Sequence, residues 1–76
     1  MPMRTKEDIS GILGHRIRTL RVKNNMTMEE LALESGMDYS QLSRIERGKI
    51  NTSVYQVYIL ARVLNVPIDS IFKDLI

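Results

Sequence analysis

Four polar residues near the middle of the chain are the side chains best suited to recognition chemistry. They stand at i, i+3, i+4 and i+7, the spacing of one helix face: Ser40, Ser43, Arg44 and Arg47. A face built only for solubility would carry lysine, glutamate and alanine, because serine is a poor helix former. Small hydroxyls and guanidinium groups instead offer hydrogen-bond donors and acceptors that can approach base edges. The pattern therefore predicts a helix that reads a hydrogen-bonding surface such as the major groove of DNA.

The helix that carries this polar face has an apolar opposite side. Leu42 and Ile45 define its buried direction. Asp38 is predicted to cap the helix by accepting from its free amides, and Gly48 is predicted to end it. The segment is therefore an amphipathic helix whose exposed side is hydrogen-bonding instead of simply charged.

A short helix is predicted immediately before it. Thr27 and Glu30 have the spacing of a capping box, in which the hydroxyl accepts from the N3 amide and the carboxylate reaches back. Ala32 is small enough for a close crossing of the two helices. Gly36 falls where the chain must reverse, and glycine adopts positive φ without a steric penalty. Together these residues predict a helix-turn-helix over about residues 27–48.

Three further helices and no strand are predicted. Asn24 and Asn25 end the first helix, since asparagine tolerates the left-handed conformation. Ser53 with Gln56 predicts the start of a fourth helix, and Pro67 is tolerated in the first turn of a short fifth. The predicted helices cover about residues 8–23, 27–35, 38–48, 53–64 and 67–75. The predicted fold class is all-α, a compact five-helix single domain over residues 1–76.

Composition excludes several classes of function. The chain has no cysteine and a single histidine, His15, so a thiolate or histidine-based metal site is not expected. No nucleophile–base pair or phosphate-binding loop can be assembled from these residues, so an enzyme is not expected either. The polar start and the lack of a long apolar run predict no signal peptide, no membrane span and a cytoplasmic protein. No cofactor and no small-molecule ligand are expected.

Charge is segregated along the chain. The net charge is only +2, but bases dominate the first helix and the segment 39–62, whereas segment 28–38 is acidic. Such segregation suits a protein with one DNA-facing side. Mixed solvated charge is the alternative interpretation.

These motifs together resemble the Cro/CI-type, XRE-like helix-turn-helix family of phage repressors and bacterial regulators. The resemblance covers roughly residues 12–73. It is carried by the segments Ile17–Arg21, Met26–Ala32, Ser43–Lys49 and Leu60-Ala61. It implies a lambda-repressor-like fold in which the third helix is the recognition helix and the helix ends and flanking loops hold phosphates.

The resemblance also implies roles for individual positions. Arg44 is the strongest candidate for base reading, because a guanidinium can bond bidentately to guanine. The other base-reading candidates are Tyr39, Ser40, Gln41 and, more weakly, Ser43. The implied phosphate contacts are Thr27, Arg47, Lys49, Asn51 and Thr52. Met28 stands where the family commonly has glutamine, and since its side chain cannot donate, no polar contact is expected from it.

Arg21 and Glu46 match a pair that the family keeps as a partly buried salt bridge between the first and third helices. If the bridge forms, Glu46 belongs to the scaffold and is not a DNA contact. The alternative is a surface arginine that merely flanks the apolar stripe of the first helix.

The last segment of the chain predicts self-association. It has more apolar groups than a short helix is expected to bury, which predicts an isologous homodimer through helix five and the adjoining end of helix four. The interface candidates are Ile68, Ile71, Phe72, Leu75 and Ile76. Tyr55 and Tyr58 are expected at the edge of the core, with a dimer contact as the alternative.

The predicted function is a sequence-specific DNA-binding transcriptional regulator, acting as a homodimer on an inverted-repeat operator. Its small single-domain size is similar to that of Cro-type regulators and of the small controller proteins of restriction–modification systems. Regulation is expected to follow protein concentration. The alternative is an antitoxin-like interaction module that binds a partner protein and its own promoter. A neighbouring toxin gene would favour this alternative hypothesis.

Overall fold

A computed structural model describes residues 3–75 and shows an all-helical chain. Within that range there are five helices and no strand. The helices are α1 (Lys6–Lys23), α2 (Met28–Ser35), α3 (Tyr39–Glu46), α4 (Val54–Val63) and α5 (Asp69–Phe72). The predicted fold class is confirmed. No helix in the described range is both long and apolar enough to cross a membrane.

Side-chain caps fix where three of the helices begin. Thr27 and Glu30 form the predicted capping box at the start of α2, and the Ser53 hydroxyl accepts from the Gln56 amide at the start of α4. The α1 helix begins at Lys6, two residues before the predicted start, because Thr5 and Asp8 form a second capping box. The predicted side-chain cap at Asp38 is wrong: its backbone has the N-cap conformation, but its carboxylate accepts no cap hydrogen bond.

The α5 helix is shorter than predicted. Pro67 precedes it instead of lying in its first turn, and only four residues are helical. The chain is extended again at Lys73, with φ −59° and ψ 139°. The Arg16 guanidinium donates to the carbonyl oxygens of Ile71 and Lys73. These hydrogen bonds replace those that the backbone amides of a longer helix would supply. A cation from α1 therefore terminates α5.

The core lies where α1, α3 and α5 meet α2 and α4. Its largest fully buried side chains come from all five helices and the turn after α4: Ile17, Leu31, Leu42, Ile45, Val57, Leu60, Leu64 and Ile71. The predicted buried residues of α3, Leu42 and Ile45, are 0% and 1% exposed. The apolar side of α3 is thus fully occupied by the core, so its polar side must face outward.

A close backbone approach fixes α3 against α1. A Cβ added at Gly14 would stand 2.2 Å from the Ile45 carbonyl oxygen and 2.8 Å from that of Glu46. Gly48 follows α3 with φ +69°, and a Cβ added there would stand 2.7 Å from the Gly11 Cα. Only glycine permits these contacts. They hold the end of α3, and the loop that follows it, directly on α1.

Candidate nucleic-acid interface

The turn between α2 and α3 sets the angle of the candidate recognition helix. Gly36 adopts the left-handed conformation, with φ 69° and ψ 32°. The Met37 amide then donates to the Ala32 carbonyl at 3.0 Å, which closes the turn. Ala32 itself is 3% exposed, at the crossing of the two helices. Ala32 and Gly36 therefore occupy the positions in which the sequence predicted them.

The polar face of α3 is open to solvent. Ser40, Arg44 and Arg47 are exposed, and Tyr39 at the first position is half exposed. Gln41 and Ser43 are half-buried on the flanks of this face. Among the described residues, the side chain of Arg44 has no hydrogen-bond or ion-pair partner, so its guanidinium is free to bind. The structure thus places the five base-reading candidates on one accessible surface.

Four of the candidate phosphate contacts lie in the segment that follows α3. Arg47, Lys49 and Asn51 are exposed in the segment after α3, and the Lys49 amide donates to the Arg44 carbonyl at 2.8 Å. Thr52 is half-buried, and its hydroxyl already donates to Gln56 Oε1 at 2.9 Å. Any phosphate bond from the Thr52 hydroxyl would have to replace that contact.

The fifth candidate, Thr27, lies at the start of α2 as its N-cap. The Thr27 hydroxyl accepts from the Glu30 amide at 3.1 Å, and the Thr27 amide donates to the Glu30 carboxylate at 2.8 Å. The hydrogen bond from the Thr27 amide, with one from its hydroxyl, holds the pKa of Glu30 below its ordinary value. A phosphate bond from the Thr27 hydroxyl would therefore have to replace its contact with the Glu30 carboxylate, whose negative charge also opposes a phosphate at this position.

The predicted bridge between Arg21 and Glu46 lies beneath the interface. Arg21 Nε and Glu46 Oε2 are 2.8 Å apart, and the Arg21 guanidinium also reaches Oε1 at 3.1 Å. The two side chains are only 11% and 4% exposed, so the alternative of a surface arginine is wrong. The same guanidinium donates to the Met26 carbonyl at 2.9 Å, just before α2. One cation therefore ties α1 to both helices of the helix-turn-helix.

Electrostatics around α3 follow from this burial. The segment from Tyr39 to Ser53 contains three bases, Arg44, Arg47 and Lys49, and one acid, Glu46. Because Glu46 is buried and neutralised by Arg21, the exposed charge of the segment is entirely positive. A positive surface with hydrogen-bonding groups at its centre matches the requirements of the DNA backbone and bases.

The predicted interface residues of the last segment separate into three groups. Ile71 is 0% exposed in the core, which corrects its placement on an outer surface. Ile68, Phe72 and Leu75 are half-buried against the core, since the fold absorbs more of this segment than expected. Ile76 lies outside the described residues.

The tyrosines of α4 are more exposed than expected. Tyr55 is 69% exposed and Tyr58 is 45% exposed, so the expectation that they lie at the core edge is wrong. The reason is that Val57, Leu60 and Ala61 already fill the inner side of α4. Sequence reasoning also missed Gly14, although a glycine inside a long helix indicates close approach of another backbone.

Comparison with known proteins gives the same family throughout. A family model described as helix-turn-helix, HTH_3, matches residues 17–71. An uncharacterised transcriptional regulator in the ATPase CF(0) region of Rhodospirillum rubrum is 35% identical over 72 residues, covering 95% of this chain and 67% of that protein. The control protein C.SmaI of Serratia marcescens is 34% identical over 61 residues, covering 80% of this chain and 73% of its own.

A solved structure agrees with these relatives. The restriction–modification controller protein C.AhdI from Aeromonas hydrophila superposes with a TM-score of 0.80 at 33% identity, covering 83% of this chain and 96% of that one. The family match over residues 17–71 contains α2, α3 and α4 whole, the last part of α1 and most of α5, and it includes the exposed polar face of α3 and the buried bridge beneath it. The chain therefore belongs to the helix-turn-helix family of DNA-binding transcriptional regulators.

Proposed function

We propose that this regulator binds a specific inverted-repeat operator as a homodimer, with α3 in the major groove. The observation that carries the proposal is the free polar face of α3, centred on the unpartnered Arg44 and supported by the buried Arg21–Glu46 bridge. Two recognition helices related by a twofold axis would enter successive major grooves ~34 Å apart, so the half-sites should be centred about one helical turn apart.

Base reading and backbone contact are assigned to different residues. Arg44 would bond bidentately to a guanine, with Tyr39, Ser40, Gln41 and Ser43 contacting neighbouring base edges. Thr27, Arg47, Lys49, Asn51 and Thr52 would hold the flanking phosphates, which fix register and carry no sequence information.

The test begins with operator selection from a random duplex pool and footprinting upstream of the protein's own gene. Arg44→Ala should cost about 1–3 kcal/mol at one guanine and relax discrimination there. Arg44→Lys keeps the charge and loses the bidentate geometry, so it should lose most of the same discrimination. Arg18→Ala removes an equal charge from an exposed position on α1 and should keep it.

Phosphate contacts have a different signature. Lys49→Ala should weaken binding to all sequences and lower the slope of log K against log salt by about 1. If Arg44→Ala leaves the sequence preference unchanged, α3 does not read bases through this face. An operator without inverted symmetry would refute the dimeric arrangement.

A further inference from the structure

An exposed aromatic surface on α4 remains without a partner in the fold. It consists of Val54, Tyr55 and Tyr58, called here the α4 aromatic face. Val54 and Tyr55 are each more than two-thirds exposed. The two tyrosine rings lie 6.3 Å apart and are tilted by 31°, so they form one continuous surface. Aromatic pairs at such separations attract each other, and the pair is therefore presented as a unit.

Other large apolar side chains are exposed singly. Leu33 is 82% exposed on α2, but Glu29 and Glu34 stand beside it. Val22 on α1 lies beside Arg18 and Lys23. Scattered exposed apolar residues of this kind are ordinary, whereas a contiguous aromatic group marks an interaction site. The α4 aromatic face is the one cluster of this kind among the described residues.

We infer that the α4 aromatic face is the centre of the contact between two copies of this chain, an inference that rests on the proposed homodimer. An isologous contact requires a surface complementary to itself. The three side chains of the face are uncharged, and each tyrosine hydroxyl both donates and accepts, so the centres of two copies can meet without like-charge repulsion. Arg62, one turn further along α4, lies outside this centre. Tyrosine is also enriched among the residues that dominate binding energy in interfaces.

The position of the face agrees with this role. It occupies the first turns of α4, directly after the loop of residues 47–53, which the proposed function places on phosphates. A twofold axis through this face would stand at the DNA-facing edge, and each recognition helix would be joined to it by that short loop. The spacing of the two recognition helices would then be set by α4.

The available area is adequate for the centre of an interface. A buried aromatic side chain removes ~150–250 Å² from water, so the two tyrosines, 69% and 45% exposed, offer roughly 200 Å² per copy. A standard interface buries about 800 Å² per partner. A groove continues from Tyr58 past Arg62 to Pro67 and Ile68 and would extend the contact beyond the two tyrosines. This groove reaches the half-buried residues of the last segment, which would form the rim.

The chain's lack of cysteine permits a direct test by disulfide trapping. A residue near a twofold axis faces its own copy, and a disulfide forms when the two Cα atoms come within ~7 Å. Tyr58→Cys and Tyr55→Cys variants, mildly oxidised with and without operator DNA, should give a covalent dimer from at least one of them. Leu33→Cys is the matched control, because it is more exposed and should give no such dimer.

A second measurement keeps the test independent of trapping geometry. Tyr58→Asp should raise the dimer dissociation constant at least about tenfold in sedimentation equilibrium, since each interface loses two aromatic anchors. Its helical circular dichroism should stay near that of the parent, because the Tyr58 side chain is exposed. Leu33→Asp should leave the dissociation constant unchanged.

The outcomes separate this inference from the proposed function. A dimer that survives Tyr58→Asp and gives no disulfide at position 55 or 58 would overturn the inference and leave the homodimer standing. A monomer that binds a single half-site as tightly as the full operator would overturn both. If Tyr55→Phe weakens binding to an isolated half-site, Tyr55 contacts phosphate and the face belongs to the DNA interface instead.

Discussion

The contact between Gly14 and the end of α3 predicts that one alanine substitution destabilises the protein while a neighbouring one stabilises it. A methyl group at Gly14 would stand 2.2 Å from the Ile45 carbonyl oxygen, so the two helices would have to separate by about 1 Å. Such overpacking costs ~1–3 kcal/mol or more. The higher helix propensity of alanine returns ~1 kcal/mol, which leaves a net loss of ~0–2 kcal/mol or more, toward the upper end because the contact is with backbone.

Gly11 supplies the matched control on the same helix. A Cβ added there meets nothing within 4 Å, so Gly11→Ala should gain the propensity term of ~0.5–1 kcal/mol without a clash. For a domain of this size, 1 kcal/mol shifts the thermal midpoint by ~4–8 °C. Because the propensity gain is common to both variants, they should differ by the overpacking cost of ~1–3 kcal/mol, which corresponds to roughly 4–24 °C.

The assay is thermal and urea unfolding followed by circular dichroism, at one protein concentration for all variants, because dimerisation would make the midpoint concentration-dependent. Operator affinity should fall with Gly14→Ala, since the displaced carbonyls lead directly into the loop of residues 47–53, which is proposed to contact phosphates. If Gly14→Ala is as stable as Gly11→Ala, α1 and α3 are not held by backbone contact, and the account of how the recognition helix is fixed fails.

Three further predictions concern the scaffold. Arg21→Met should cost ~3–5 kcal/mol in unfolding experiments, because it leaves Glu46 buried without its partner, and adding Glu46→Leu should recover most of the loss. Glu30 has a pKa below its ordinary value, so its carboxylate stabilises the fold above the unfolded-state pKa, and this stabilisation is lost as pH falls through the folded-state pKa. Acid unfolding of the parent should show this loss of stability. In Glu30→Gln the pH-dependent loss should be absent, while the cap is kept. Ser35→Ala should raise stability by about 0.5–1 kcal/mol, because the buried Ser35 hydroxyl has no hydrogen-bond partner within residues 3–75; an unchanged or lower urea midpoint would contradict that reasoning.

Local chemistry made much of the fold predictable. Capping pairs act over three residues, so Thr27 with Glu30 located the start of α2, and Thr5 with Asp8 carries the same signal for α1. The left-handed Gly36 could likewise be recognised because its role depends only on its own backbone. The start of α1 was predicted two residues too late because the apolar periodicity begins after the Thr5 cap.

Tertiary contacts account for what could not be predicted. The end of α5 depends on Arg16, which is 55 residues away from Ile71 in the sequence. The exposure of Tyr55 and Tyr58 depends on how much of the core is already filled by side chains of α2 and the last segment. No local sequence pattern reports how full the core is. The polar face of α3 was predictable because it stands opposite its own buried residues.

Two contacts of different kinds hold α3 on α1. Because each contact fixes a different part of the geometry, the exposed face of α3 can be polar. The glycine contact is a backbone approach that excludes any larger group, so it fixes the distance between the helices. The Arg21–Glu46 bridge is directional and two-pronged, so it fixes the rotation of α3 about its axis. With distance and rotation set from the inner side, Ser40, Ser43, Arg44 and Arg47 need contribute nothing to stability. Their side chains are thereby free for the proposed DNA contacts. Substitutions at Ser40, Ser43 and Arg44 should change which operator is bound, substitution of Arg47 should weaken binding to all sequences alike, and none of them should change whether the protein folds.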